Sequence, residues 1–404
     1  MKVLIADKFE SCGPDALAAA GCEVVCQPDL KDDALVEAIR ETKCTILIVR
    51  STRVTAPMFE ASPHLAVVIR AGAGYDTIDV AAASRDSVLV ANCPGKNSVA
   101  VAELTFGLIL ALDRRIAECT QDLQQGKWNK KLYSEARGLK GRTLGIVGVG
   151  QIGRAVIHRA HGFEMPVVAW SRSLTDEMAE ELKIKRMDSS VAVAAACDIL
   201  SVHVASTPET KQIINKNVLD ALRPGSYFIN TARGDVVDYE ALATVVKEKN
   251  IRVGLDVFPD EPKTATGDFL AGIMKNGSII YGTHHIGAST EQAQQAIAME
   301  TVRIVKTYMQ TRHVLNCVNI CAKSPASYLL LVRHRNRPGV LAHTLNAISH
   351  AGVNIEEMEN VICEGAEAAC ASIQLDGPLS DEVLAEIEAS DENILGISLS
   401  QLDT

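Results

Sequence analysis

Short apolar runs alternate with amphipathic stretches from the start of the chain. Residues 2–6 read as a strand, 15–20 as a helix, 23–26 as a strand and 33–41 as a helix, with further strands at 46–49 and 66–70. Strands separated by helices call for a parallel sheet covered on both faces. Residues 98–113 form a long, largely apolar helix that crosses to a second set of strands, at 142–147, 167–170, 198–203, 226–230, 252–256 and 278–281. A helix is expected at 155–162, and an amphipathic one runs from Ser289 to about Thr311. Residues 318–327 lack periodicity and read as a linker. Beyond them the pattern is strand 328–333, helix 340–350, strands 354–362 and 368–374, helix 380–389 and strand 394–399.

The run Gly148-Val149-Gly150-Gln151-Ile152-Gly153 follows the apolar residues 144–147 and opens a helix. That context gives a GxGxxG run its meaning. Gly148 permits the tight turn, Gly150 lets backbone amides approach a pyrophosphate at the helix N-terminus, and Gly153 lets helix and strand pack closely. The fold class expected is therefore α/β: two doubly wound parallel-sheet domains, the first flavodoxin-like and the second a Rossmann nucleotide domain, followed by a βαββαβ unit of ferredoxin-like order. At the end of the strand after the fingerprint, an acidic residue would bind a ribose 2′-hydroxyl. This chain has Ser171-Arg172 there. Arg172 either binds a 2′-phosphate or stacks on adenine, so NAD and NADP both stay open, with Arg172 leaning towards NADP.

Composition narrows the class. Hydrophobic residues make up 47% of the 404 positions but aromatics only 4%, which suits a core of small aliphatic side chains around parallel sheets. The net charge of -10 argues against nucleic acid as a partner, while a few local arginines can still hold an anion. The 11 cysteines contain no CxxC pair and no metal-ligand spacing, so free thiols in a reducing cytoplasm are expected, and no metal. No apolar run approaches the ~18 residues of a membrane span, and the chain opens directly as a strand rather than as a leader.

Three motifs follow the fingerprint: Ile229-Asn230-Thr231-Ala232-Arg233-Gly234, then Asp256-Val257-Phe258-Pro259-Asp260-Glu261-Pro262, then His285-Ile286-Gly287-Ala288-Ser289-Thr290. A fixed cation, a carboxylate and an imidazole are what the oxidation of a 2-hydroxy acid needs. The cation holds the acid, the imidazole moves the hydroxyl proton and the carboxylate orients the imidazole.

On these motifs the chain resembles the D-isomer-specific 2-hydroxyacid dehydrogenases, most closely the phosphoglycerate-oxidising branch. The resemblance implies Arg233, Glu261 and His285 as catalytic residues, although His284 replaces the proline usual before that histidine. It implies cofactor contacts from Gly148, Gly150, Gln151, Ile152, Gly153, Ser171, Arg172, Val204, Ala205, Thr231, Ala232, Asp256 and Gly287, with Asp256 meeting the nicotinamide amide. His203 is either a cofactor neighbour or a packing residue. Substrate contacts are implied for Arg50, Arg70, Ala73 and Gly74; Arg53 is a weaker candidate. Asn97 is either an N-cap or a substrate ligand, and Lys130 (with Lys131) would add charge across a homodimer or homotetramer. The domains implied are 1–95 with 288–317 for substrate, 96–287 for nucleotide, a linker at 318–327, and 328–404 as an ACT regulatory domain. In that domain His334, Asn336 and Asn354 would bind L-serine as effector. The activity implied is oxidation of 3-phospho-D-glycerate to 3-phosphohydroxypyruvate on the route to serine. Alternatives are a glyoxylate or hydroxypyruvate reductase, or an NAD(H)-sensing corepressor-like binding protein.

Overall fold

A computed structural model describes residues 1–262, 267–269, 272–275, 279–321, 323–389 and 391–402. Ser278 at the start of one expected strand, Ala322 of the expected linker, and Asp403 and Thr404 lie outside the described residues. The chain divides into two compact units, Met1–Asn319 and Ile320–Thr404.

The first unit contains two sheets. One runs through β1 (Lys2–Ile5), β2 (Glu23–Cys26), β3 (Ile46–Val49), β4 (Val67–Arg70) and β5 (Leu89–Asn92). Its order is β2-β1-β3-β4-β5, all parallel, which is the flavodoxin-like order. Because side chains alternate along a strand, Leu4, Leu47, Val49, Val68 and Val90 pack on one face, while Val3, Ile5, Ile46, Ile48, Val67 and Ile69 pack on the other. Ile297, Val302, Ile304 and Val305 of the helix Glu291–Thr311 join the second of these clusters. The sequence pattern did not single out β5; its pairing with β4 sets it at the sheet edge.

The other sheet holds β6 (Leu144–Val147), β7 (Val167–Trp170), β8 (Lys185–Arg186), β9 (Ile199–Val202), β10 (Tyr227–Asn230), β11 (Arg252–Leu255) and β12 (Ile280–Gly282). It is again parallel, in the order β12-β11-β10-β9-β6-β7-β8. Strand order reverses between β6 and β9, and open α/β sheets bind ligands at the carboxyl ends of strands at such a point. The helix Ser98–Arg114 covers one face through Ala102, Phe106, Leu108, Ile109 and Leu112. Among the described residues no helix is long and apolar enough to cross a membrane.

The second unit is one antiparallel sheet of β13 (Tyr328–Arg335), β14 (Ile355–Ile362), β15 (Ala368–Leu375) and β16 (Ile394–Gln401), with helices Val340–His350 and Asp381–Ala389. The order β14-β15-β13-β16 is that of a βαββαβ ferredoxin-like fold. Leu330, Val332, Ala371 and Ile373 meet Ile348 and Ile387 in its core.

Candidate active site

Two of the three fingerprint glycines are tied to close backbone neighbours. Gly148 has φ +100, and a Cβ there would stand 2.4 Å from the His203 carbonyl oxygen. A Cβ on Gly153 would stand 2.2 Å from the Gly148 carbonyl oxygen, so the helix Gln151–Gly162 packs directly on the turn. Gly150 faces open space. Two glycines are thus required by protein packing and the third leaves backbone free for a ligand. This is the arrangement that accommodates a dinucleotide pyrophosphate at a helix N-terminus. The helix begins at Gln151, within the fingerprint, and runs on through the expected 155–162. Ile152 packs partly against the core, and the Gln151 amide lies across Gly95 in the loop that precedes the helix Ser98–Arg114.

Around this cradle, Arg172 is exposed at the end of β7, beside half-buried Ser171. The Thr207 hydroxyl, its own backbone and the Arg172 charge together hold the Glu209 carboxyl below its ordinary value. His203 is buried, with Nε2 2.8 Å from Ser201 Oγ, and burial pushes its pKa down to about 3. The imidazole is therefore neutral at the sheet end, and its Nδ1 is buried without a partner among the described residues. Val204 is half-buried, and Thr210 Oγ1 donates to the Ala205 carbonyl at 2.6 Å. Thr231 is turned towards the long helix, its hydroxyl 3.0 Å from Thr105 Oγ1, and Ala232 is buried.

Glu261 and His285 meet: His285 Nδ1 lies 2.7 Å from Glu261 Oε2. The other carboxylate oxygen accepts the Phe258 N–H at 2.8 Å. Burial opposes the charge on Glu261, but the bonds from His285 and Phe258 and the positive field of Arg233 outweigh it, leaving the carboxyl below its usual range. His285 adopts φ +52, a left-handed conformation that histidine tolerates better than most residues. Its N–H donates to the Asp256 carbonyl at 2.8 Å. The buried Asp256 carboxylate accepts from Thr283 Oγ1 and from the amides of Ile286 and Gly287, the latter two both at 2.9 Å. Asp256 therefore pins the loop that carries the imidazole. His284, its neighbour, is exposed.

Two guanidinium groups lie on the glycine loop that follows β4. A Cβ on Gly72 would fall 1.6 Å from Arg70 Nη1, and one on Gly74 would fall 2.0 Å from Arg233 Nη2. Arg70 is drawn down to about 10 by burial and by the charges of Arg233 and Arg50, against the pull of Asp76, and its Nε has no partner among the described residues. Arg233 reaches Asp76 Oδ1 at 3.4 Å and the Ala232 carbonyl at 2.8 Å. The Ala73 carbonyl accepts from Asn92 Nδ2 at 2.6 Å. Asn97 stands at the N-cap position of the helix Ser98–Arg114 but makes no side-chain cap bond, and its Oδ1 is buried without a partner among the described residues. Lys130 lies apart, on the exposed helix Lys130–Tyr133.

Sequence reading missed three supports. Asp7 accepts from the amides of Arg50, Ser51 and Thr52 at 2.7, 3.2 and 3.1 Å, fixing the loop that bears Arg50. Asn230 accepts the Ala232 N–H at 3.0 Å and donates to the Arg233 carbonyl at 2.8 Å, shaping the Arg233 turn. Asp76 is the counter-charge of Arg233. Asn230 lies in the Arg233 motif and Asp76 lies two residues after Gly74, so adjacency was an available signal; Asp7 had none.

In the second unit, His334 is buried, with Nε2 3.1 Å from Asn360 Oδ1 and Nδ1 2.8 Å from the Arg335 carbonyl. Asn336 Nδ2 donates to the Ala366 carbonyl at 3.0 Å, and Asn354 Nδ2 to Glu356 Oε1 at 2.7 Å. Both asparagines are exposed.

Comparison with known proteins decides the family. The NAD binding domain of the D-isomer specific 2-hydroxyacid dehydrogenases matches residues 106–287. A hydroxypyruvate reductase of Thermotoga maritima is 38% identical over 275 residues, covering 68% of this chain and 87% of that protein. The chain belongs to the D-isomer-specific 2-hydroxyacid dehydrogenase family. A D-3-phosphoglycerate dehydrogenase of Methanocaldococcus jannaschii is 34% identical over 322 residues, 79% of this chain and 60% of that protein. The chain thus matches only 60% of the length of that relative. Among solved structures, the NADPH-dependent glyoxylate/hydroxypyruvate reductase of Sinorhizobium meliloti, in complex with NADP and malonate, superposes with a TM-score of 0.66 at 28% identity. That match covers 78% of this chain and 96% of the reductase.

Proposed function

We propose that this protein oxidises 3-phospho-D-glycerate to 3-phosphohydroxypyruvate with NAD or NADP as the hydride acceptor. The observation that carries the reading is the His285–Glu261 pair at 2.7 Å, within the field of Arg233. Arg233 and the amides of the Ala73–Gly74 loop hold the substrate carboxylate and carbonyl oxygen. His285 Nε2, the nitrogen turned away from Glu261, takes the hydroxyl proton. Glu261, kept ionised, stabilises the imidazolium that results. A bound nicotinamide would supply the acceptor for the C2 hydride. Thr231, Ala232, Gly287 and the 203–205 turn would line its pocket, and Asp256 would contribute by holding that pocket's loop.

A phosphorylated substrate is favoured by the like-charged set Arg50, Arg70 and Arg233. Mutual repulsion and burial leave Arg70 short of counter-charge, which a dianionic phosphate would supply. Asn97, with its unpartnered Oδ1, would accept from a substrate hydroxyl, and Lys130 would add charge from a partner subunit in a homodimer or tetramer. The second unit would act as an ACT domain that binds L-serine through Asn336 and Asn354, with His334 as support, giving feedback control of a cytoplasmic enzyme. A second reading, reduction of hydroxypyruvate or glyoxylate, is favoured by the Thermotoga relative and by exposed Arg172 in the place of an acidic residue. The discriminating experiment measures initial rates of reduction of 3-phosphohydroxypyruvate, hydroxypyruvate and glyoxylate with NADH and with NADPH. A kcat/KM at least about tenfold higher for the phosphorylated acid, some 1.4 kcal/mol, supports the first reading. The reverse ranking replaces it with the second.

A further inference from the structure

One residue outside every motif above stands directly behind the carboxylate–imidazole pair. Tyr239 opens the helix Tyr239–Lys249, whose N-terminus is fixed by Asp238 accepting the Ala241 N–H at 3.0 Å. Its ring packs into the core cluster of the second sheet. Its hydroxyl donates to the Val257 carbonyl at 2.8 Å. That carbonyl belongs to the same peptide unit as the Phe258 N–H, which donates to Glu261 Oε1 at 2.8 Å. Glu261 Oε2 in turn meets His285 Nδ1 at 2.7 Å. The bonds form an unbroken series: phenol to carbonyl, amide to carboxylate, carboxylate to imidazole. A donor on the oxygen of an amide polarises its N–H, so each bond strengthens the next. Burial raises the phenol's pKa well above its ordinary value, so it stays a donor throughout the working pH range.

We propose that Tyr239 is a positioning residue for the Glu261–His285 pair, acting through the Val257–Phe258 peptide. This rests on the catalytic reading given above. Tyr239 also sits beside the support of the cation, because the Asn230 side chain that shapes the Arg233 turn neighbours the phenol. It therefore ties the imidazole loop to the arginine turn from one anchored helix.

The test is Tyr239→Phe, alone and combined with Glu261→Ala, with His285→Ala as reference. Loss of one buried hydrogen bond that acts on the dyad should lower kcat roughly 3- to 10-fold and leave both KM values within about twofold. In the Glu261→Ala background the same change should cost less than about twofold, since the residue through which it acts is gone. Equal losses in both backgrounds, or a loss carried in KM, would overturn the proposal. A second readout needs no turnover: in the full-length protein, hydrogen exchange at the Phe258 amide should accelerate at least about threefold in Tyr239→Phe. Unchanged exchange there would also overturn it. If His285→Ala keeps full turnover, the catalytic reading fails, and the exchange result alone decides whether Tyr239 holds this peptide.

Discussion

At the scale of single residues, burial separates the two well-placed histidines. His203 is buried and neutral, whereas His285 is half-exposed and paired with a carboxylate. The unfolded chain takes up a proton on His203 near pH 6.5, while the folded chain resists until about pH 3. The unfolded state thus binds more protons between those values, so this group's stabilisation is full above pH 6.5 and is lost as pH falls towards 3. Urea denaturation should show wild type losing up to about 1.4 kcal/mol per pH unit through this residue. His203→Gln should lose less stability over the same interval, and equal losses would contradict the assignment. At Arg70 the expected effect is on binding: Arg70→Ala should raise the KM for phosphoglycerate at least about tenfold, and that for hydroxypyruvate by less, because a charge-assisted contact to phosphate is removed. Equal effects on both acids would refute a phosphate role.

At the scale of elements, the site depends on loops at the carboxyl ends of strands that touch through backbone. A Cβ on Gly234 would stand 2.3 Å from the Phe258 carbonyl carbon and oxygen, so only glycine lets the Arg233 turn lie against the loop bearing Glu261. Gly234→Ala should cost about 1–3 kcal/mol of stability and reduce kcat, as calorimetry and steady-state rates would show. A variant with unchanged melting temperature and rate would mean that the two loops separate freely. Much of this level was readable in the sequence. Glycine spacing, strand-end motifs and the alternation of helix and strand are local patterns, and the structure sets the fingerprint at the turn between β6 and its helix. Asp7, Tyr239 and the edge strand β5 were not readable. Asp7 meets its partners 43 to 45 residues away, Tyr239 acts across 18 residues on a carbonyl, and β5 is defined by pairing. Asp256 was expected to face the cofactor, and sequence alone gave no hint that Thr283, Ile286 and Gly287 occupy its carboxylate.

At the scale of the whole molecule, a family dehydrogenase unit of two parallel sheets is joined to a separate βαββαβ unit. The proposed regulation makes this second unit a sensor for a small zwitterion. Asn354→Ala removes a side chain that now donates to Glu356, within the second unit. Titration calorimetry should find millimolar or tighter L-serine binding in wild type, weakened at least about tenfold in the variant, while uninhibited turnover is unchanged. Absence of serine binding to active wild type would remove the regulatory part and leave the catalytic part standing. The central claim is that His285, held by Glu261, moves the substrate proton. Its most direct test is phosphoglycerate-dependent cofactor reduction by His285→Ala and His284→Ala, measured beside wild type with cofactor affinity followed separately. The expected result is a loss of about 10²–10⁴-fold in kcat for His285→Ala with cofactor binding intact, and a far smaller change for His284→Ala. An active His285→Ala beside an inactive His284→Ala would contradict it.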